Sequence, residues 1–269
     1  MPTALHRDLE TARAIAREAG RYLLEKRAAL LDDDGAVAHD IKGRNDFVTA
    51  ADKGSEALIR DRLAAAFPGD QFLGEESGGA GWDSDSVWIV DPLDGTTNFI
   101  RGLPLFSVSI GRLRRGKAEL GVIHDPVHDE CFSGGAGLGA WRNAHAIRCR
   151  PAPDLTGAFV ATGFPFREVG RLEEYARLFT AVTRASQGVR RCGSAAIDLA
   201  WTACGRFTAF FEQGLSHWDI AAGWAIVEGA GGVVTDLYTP NAPLPGGHLL
   251  AADPSVHRQL QELFLSARG

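Results

Sequence analysis

The stretches of this sequence that could do chemistry are rich in acids. In VWIVDPLDGTTNF, residues 87–99, an apolar run ends in Asp91 and Asp94, followed by Gly95, Thr96 and Thr97. Pro92 fixes one backbone angle and Gly95 permits a tight turn, so both carboxylates and the Leu93 carbonyl can converge on one point. FLGEESGG adds Glu75 and Glu76, and GLSHWDIAAG adds Asp219 at the head of a run of small and apolar residues. Each has a plainer reading. Asp-Pro-Leu-Asp-Gly is a good turn sequence, paired acids in loops are commonly solvated, and Asp219 suits the first turn of a helix, where the dipole favours an acid. Jointly, three acid clusters at element ends suggest a shared cavity, and oxygen donors without His or Cys suit Mg2+ over zinc. Gly95-Thr96-Thr97 could open a short helix that presents N–H groups and hydroxyls to an anion. Cations beside an anion site suit phosphate esters: one ion acidifies the attacking water, another stabilises the leaving alkoxide, and no covalent protein nucleophile is needed.

The elements that must carry these residues follow from periodicity. Leu5, Leu9, Ala12, Ala16, Ala19 and Leu23 mark one face of a long helix fading near Leu31. DFVTAADKGSEALIRDRLAAAF restarts a helix after Asp52 and is closed by Pro68-Gly69. Short β-rich runs then follow at 87–90, 107–114 and 118–124, and around Cys131, Trp141 and Ile147, with RRGK as a hairpin turn. After RPAPDLTG the pattern predicts a strand near Phe159, helices over 171–184 and 194–204, a strand over 207–212 and a helix over 218–230. Helices followed by runs of strands predict an α+β layered fold. The expected organisation is an N-terminal α+β lobe, 1–153, carrying most candidate ligands, and a C-terminal α/β lobe, 154–269, carrying Asp219 and packed with the first as one compact unit.

Composition narrows the function. With 45% hydrophobic and 23% charged residues in 269, the chain reads as globular. A net charge of −6 argues against generic nucleic-acid affinity. The basic clusters at 112–117 and Arg190-Arg191 read as solvated turns, with local protein contact as the other reading. The N-terminal residues hold no continuous apolar run, so neither a signal peptide nor a membrane span is expected and the cytoplasm is the expected address. Cys131, Cys149, Cys192 and Cys204 stand far apart and read as buried thiols.

WIVDPLDGTTNF and HWDIAAGWAIVEGAGG, with DFVTAAD and GEES upstream, resemble the signature motifs of the inositol monophosphatase family. RRCGSAAIDLAWTACGRFTAFFEQGL is similar to its bacterial inositol-1-monophosphatase branch, and the resemblance runs from about Leu5 to Ala252. It implies a layered αβαβα sandwich of the Mg2+-dependent, lithium-sensitive phosphatase type, commonly a homodimer, with two to three Mg2+ per active site. Carried onto this chain, it implies that Glu75, Asp91 and the Leu93 carbonyl hold one ion, and Asp91, Asp94 and Asp219 a second. Asp52 and Thr96 would, with Glu75, orient and deprotonate a metal-activated water. The Gly95 and Thr96 amides would hold phosphate with Thr97 close by, and Glu212 and Ala195, beside Asp94 and Asp219, would meet the substrate. Glu76 would support from behind, and Lys42 fits a mobile loop near a third, weaker ion.

Ser216-His217 departs from the Lys-Pro common in bacterial relatives, which leaves the polyol specificity open. The implied reaction is hydrolysis of a small phosphate monoester, inositol 1-phosphate first. L-Histidinol phosphate is the alternative, and sugar bisphosphates and 3′-phosphoadenosine phosphate follow. A different class is also implied: bacterial relatives are associated with RNA polymerase and ribosomal RNA synthesis, so a protein partner in the transcription machinery is a further expectation. Direct nucleic-acid and membrane binding are not expected.

Overall fold

A computed structural model describes residues 3–31, 40–41, 47–48, 50–239 and 247–268. Helix α1 (Ala4–Leu31) is followed by the two-residue strands β1 (Asp40–Ile41) and β2 (Phe47–Val48), then by α2 (Ala50–Ala66). Next come β3 (Gln71–Gly74), β4 (Gly78–Gly79), β5 (Val87–Asp94), the single-turn α3 (Thr96–Ile100), β6 (Ser107–Arg114) and β7 (Lys117–Asp125). The strands β8 (Glu130–Gly135), β9 (Gly139–Arg142) and β10 (His145–Ala146) complete an eight-stranded sheet in the order β10-β9-β8-β7-β6-β5-β3-β4. After residue 157 come β11 (Phe159–Thr162), α4 (Leu172–Ala185), β12 (Gly188–Arg190), α5 (Ala195–Ala203), β13 (Ala209–Glu212) and α6 (His217–Gly229). The strands β14 (Val233–Asp236) and β15 (Leu249–Ala252) and helix α7 (Pro254–Arg268) close the chain, and the second sheet runs β12-β11-β13-β15-β14.

The apolar clusters define five layers, α-β-α-β-α. The predicted face of α1, from Leu9 to Leu23, packs with Ile59 of α2 on Trp88, Val90, Ile110 and Val122 of the large sheet. The opposite face of β5, Val87 and Ile89, meets Ala221 and Ala225 of α6. With both faces covered, β5 reads as a continuous apolar run rather than an alternating one. Helices α5 and α6 lie between the sheets, joining Ile123 and Phe132 to Phe210 and Ala251 through Leu199 and Ile226. Leu178 and Val182 of α4 and Leu260 and Phe264 of α7 cover the outer face of the small sheet.

Helix α6 lies backbone-close to the large sheet because two strand positions lack a side chain. A Cβ on Gly121 would stand 2.1 Å from the Ala222 carbonyl oxygen, and one on Gly111 2.6 Å from the Ala222 nitrogen. That close approach brings the head of α6 to the end of β5.

Several expectations need correction. Strand β5 continues through Asp94, with an irregularity in its pairing to β6 between Asp91 and Asp94, so both aspartates belong to the strand and its kink. Helix α2 begins at Ala50, which puts Asp52 inside its first turn. RRGK is the expected hairpin, Arg114 pairing with Lys117 across Arg115 and Gly116 at positive φ, but Arg112 is not part of a solvated turn. It is 3% exposed, with Asp8 at 2.8 Å, Glu119 at 2.7 Å and Asp70 at 3.5 Å, and its guanidinium stacks over Trp88. Its charge is matched by carboxylates from three separate segments, the condition for burying a guanidinium. Cys131 and Cys149 are buried as expected, whereas Cys192 and Cys204 are only half-buried. Strands β3, β12, β14 and β15 and helix α7 were not anticipated; each strand has four residues or fewer.

Candidate active site

The acids converge where β5 ends, the two helices between the sheets begin and α2 starts. One carboxylate oxygen each from Asp91, Asp94 and Asp219 lie within 4.8 Å of one another, and all three residues are buried. Asp91 Oδ1 accepts from the Leu93 amide at 3.0 Å, which curls the chain so that the Pro92-Leu93 turn projects Asp94 to the same side. Asp94 Oδ2 accepts from Ser194 Oγ at 2.6 Å and from the Ala196 amide at 2.7 Å, so it sits on the N-terminus of α5. Asp219 is the third residue of α6, and its Oδ2 accepts from the Ser216 amide at 2.7 Å, closing a capping box. The plainer reading of Asp219 as a first-turn acid is thus correct, and the same residue lies in the acid cluster.

The supporting residues reach the turn from two more elements. Ser55 Oγ donates to the Pro92 carbonyl at 3.0 Å, fastening α2 to the turn. Asp52, 3% exposed, lies three residues before Ser55 on the same helix face. Thr96 Oγ1 donates to the Leu93 carbonyl at 3.0 Å. Gly95, at φ 89°, caps α3, and a Cβ there would come 2.9 Å from the Leu105 carbonyl, so the turn requires glycine on both counts. Thr97 is exposed. Glu75 follows β3, its amide donating to the Val90 carbonyl at 3.1 Å, but its carboxylate is not among the three oxygens within 4.8 Å. The Glu76 amide donates to the buried Glu56 carboxylate at 2.8 Å, fixing the turn to α2.

Electrostatics mark the convergence. Burial, then the charges of Glu75, Asp94 and Asp219, push the Asp91 carboxyl well above the usual range. Burial and Asp219 raise Asp94 to about 6, against the lowering effect of its Ser194 and Ala196 hydrogen bonds and of Arg167. Repelling oxygens gathered out of water fit a divalent cation, which would compensate their charge with the donor type hard cations prefer.

At the end of β13, burial and then the charges of Asp198 and Asp219 hold the Glu212 carboxyl well above its ordinary value. Its carboxylate packs on Gly163, where a Cβ would stand 2.0 Å away. Ala195 is the first residue of α5, beside Ser194 and Ala196. His217 stacks on Trp82 at 5.3 Å, and its Nε2 is buried with no hydrogen-bond partner among the described residues. Lys42 lies outside the described residues. Three contributors were missed by the sequence reading. Ser194 carried a signal, as a serine before an apolar helical run, and Asn98 stood inside the quoted VWIVDPLDGTTNF stretch; its Nδ2 donates to the Leu105 and Cys192 carbonyls at 2.7 and 2.9 Å. Arg167 carried none: it sits in a loop, yet its Nη1 lies 3.3 Å from Asp219 Oδ2 and its Nη2 4.0 Å from Glu75 Oε1.

Comparison with known proteins agrees with this geometry. The model of the inositol monophosphatase family matches residues 5–269. The chain is 40% identical over 253 residues to the Nus factor SuhB of Escherichia coli, covering 94% of this chain and 93% of that protein. It superposes on the inositol monophosphatase of Anabaena (Nostoc) with a TM-score of 0.87 at 38% identity, covering 98% of this chain and 97% of that one. For the extragenic suppressor protein suhB of Bartonella henselae the TM-score is 0.89 at 36% identity, with 96% and 98% covered. Five layers, a kinked β5 that gathers carboxylates with the head of α6, and matches over nearly the whole chain agree: the protein belongs to the inositol monophosphatase family.

Proposed function

We propose that the protein is a Mg2+-dependent phosphate monoester hydrolase whose substrate is inositol 1-phosphate. The observation that carries the proposal is the convergence of Asp91, Asp94 and Asp219 within 4.8 Å. Glu75, Asp91 and the Leu93 carbonyl would hold one ion and Asp91, Asp94 and Asp219 another. Bound there, the ions would supply positive charge to the phosphate and acidify the attacking water. Asp52 and Thr96 would, with Glu75, orient and deprotonate that water. The Gly95 and Thr96 amides, at the head of α3, hold the phosphate beside Thr97. Glu212 and the Ala195 end of α5 meet the hydroxyls of the leaving group, which Asp94 and Asp219 border.

The test is phosphate release with Mg2+ from inositol 1-phosphate, L-histidinol phosphate, fructose 1,6-bisphosphate and 3′-phosphoadenosine phosphate at equal concentration. Preference for inositol 1-phosphate is the expected result. Preference for histidinol phosphate would keep the mechanism and replace the substrate. The relatives named Nus factors favour a second reading, contact with a protein of the transcription machinery. An Asp94→Asn variant that loses hydrolysis but keeps such a contact would separate the two roles.

A further inference from the structure

Among the described residues, the Arg167 guanidinium lies against carboxylates from both Glu75 and Asp219. Its Nη1 lies 3.3 Å from Asp219 Oδ2 and 3.0 Å from Ser216 Oγ, and its Nη2 lies 4.0 Å from Glu75 Oε1. Its charge also reaches Asp94. Glu75 follows β3 and Asp219 heads α6, so the guanidinium stands between the two elements. The loop that carries it is set by local contacts: the Phe166 amide donates to the Phe164 carbonyl at 2.7 Å, and the Glu168 amide to the Pro165 carbonyl at 3.0 Å. Arg191 stacks over both phenylalanines at 5.8 and 5.4 Å. Arg167 itself is 45% exposed, so it can rotate into solvent without opening the core.

We infer that Arg167 is a built-in counter-cation that competes with divalent ions for Asp219 and Glu75 and so sets the ion concentration at which the site loads. This rests on the reading of the acid cluster as a cation site. The guanidinium and an incoming ion claim the same carboxylates, and two positive charges a few ångströms apart in a partly dry cavity repel. The ion therefore binds the fraction of molecules in which Arg167 has swung out. A docked state populated about nine to one weakens apparent ion affinity about tenfold. Without ions the same guanidinium offsets carboxylate repulsion, so the empty site remains folded and ready.

The experiment is Mn2+ titration of the full chain followed by the electron paramagnetic resonance signal of free ion, for wild type, Arg167→Gln, Arg167→Lys and Asp219→Asn. Arg167→Gln is expected to bind Mn2+ about tenfold more tightly and Arg167→Lys close to wild type, while in EDTA Arg167→Gln melts below wild type. Equal affinity in wild type and Arg167→Gln, or weaker binding in Arg167→Gln, would overturn the inference while leaving the cation site standing. Mn2+ binding that is absent from wild type, or unaffected by Asp219→Asn, would overturn the reading of the site and the inference with it.

Discussion

At Asp94, Ser194 Oγ and the Ala196 amide both donate to the same carboxylate oxygen. These two donors and the α5 dipole stabilise a charge that burial and Asp219 oppose. His124 shows the opposite case, a titratable group kept neutral. Burial lowers it to about 4; Arg17 and Arg21 of α1 act in the same direction, opposed by the Glu130 carbonyl and Asp129. Because the folded value lies below the unfolded one of about 6.5, the stabilisation is complete above pH 6.5 and is lost as pH falls toward 4. The loss approaches about 1.4 kcal/mol per pH unit from this group. Chemical denaturation of wild type and His124→Gln between pH 7 and 4.5 is expected to show a shallower acid slope in the variant; equal slopes would refute the assignment. At this scale Asp91, Asp94 and Asp219 were legible because acids at the ends of apolar runs need a reason to be there. Arg112 and Arg167 were not: a basic residue looks the same in sequence whether it faces water or a carboxylate from a distant segment.

Among the elements, α6 matters most to the site, since it carries Asp219 and rests on glycine positions of β6 and β7. The atoms nearest a methyl group at Gly121 would be backbone, the Ala222 oxygen at 2.1 Å and two of its carbon atoms at 2.7 Å, so the helix itself must move. Gly121→Ala is expected to cost about 2–3 kcal/mol and to lower turnover by displacing Asp219. Gly157→Ala, with nothing within 4 Å of the added Cβ, is the control and should stay within about 0.5 kcal/mol of wild type. Urea denaturation and phosphate release of both variants check this; an unaltered Gly121→Ala protein would show that α6 has slack. Long elements with a clear period, α1, α2 and β5 to β7, were readable along the chain. Strands β3, β12, β14 and β15 were not, because three or four residues carry no period and gain stability only from neighbours such as β5, β11 and β13.

Over the whole molecule, the layers bring Asp91 and Asp94 of the large sheet together with Asp219 of the helical layer behind it. The helical layer between the two sheets is the mechanical link: α5 fixes Asp94 and α6 supplies Asp219, while each also packs on the small sheet. Among the described residues no helix is long and apolar enough to cross a membrane. Layering was legible from helices followed by strands, whereas the sharing of one helical layer by two sheets was not, since it depends on which face each apolar run covers. The Asp91, Asp94 and Asp219 cluster is proposed to work through a bound divalent cation. The most direct test is phosphate release from inositol 1-phosphate by wild type with Mg2+, with EDTA and after Mg2+ is restored, beside Asp91→Asn under the same conditions. The expected result is hydrolysis that EDTA abolishes and Mg2+ restores, and a folded Asp91→Asn protein slower by about a thousandfold or more. Turnover that survives EDTA, or a folded Asp91→Asn protein with wild-type turnover, would contradict it.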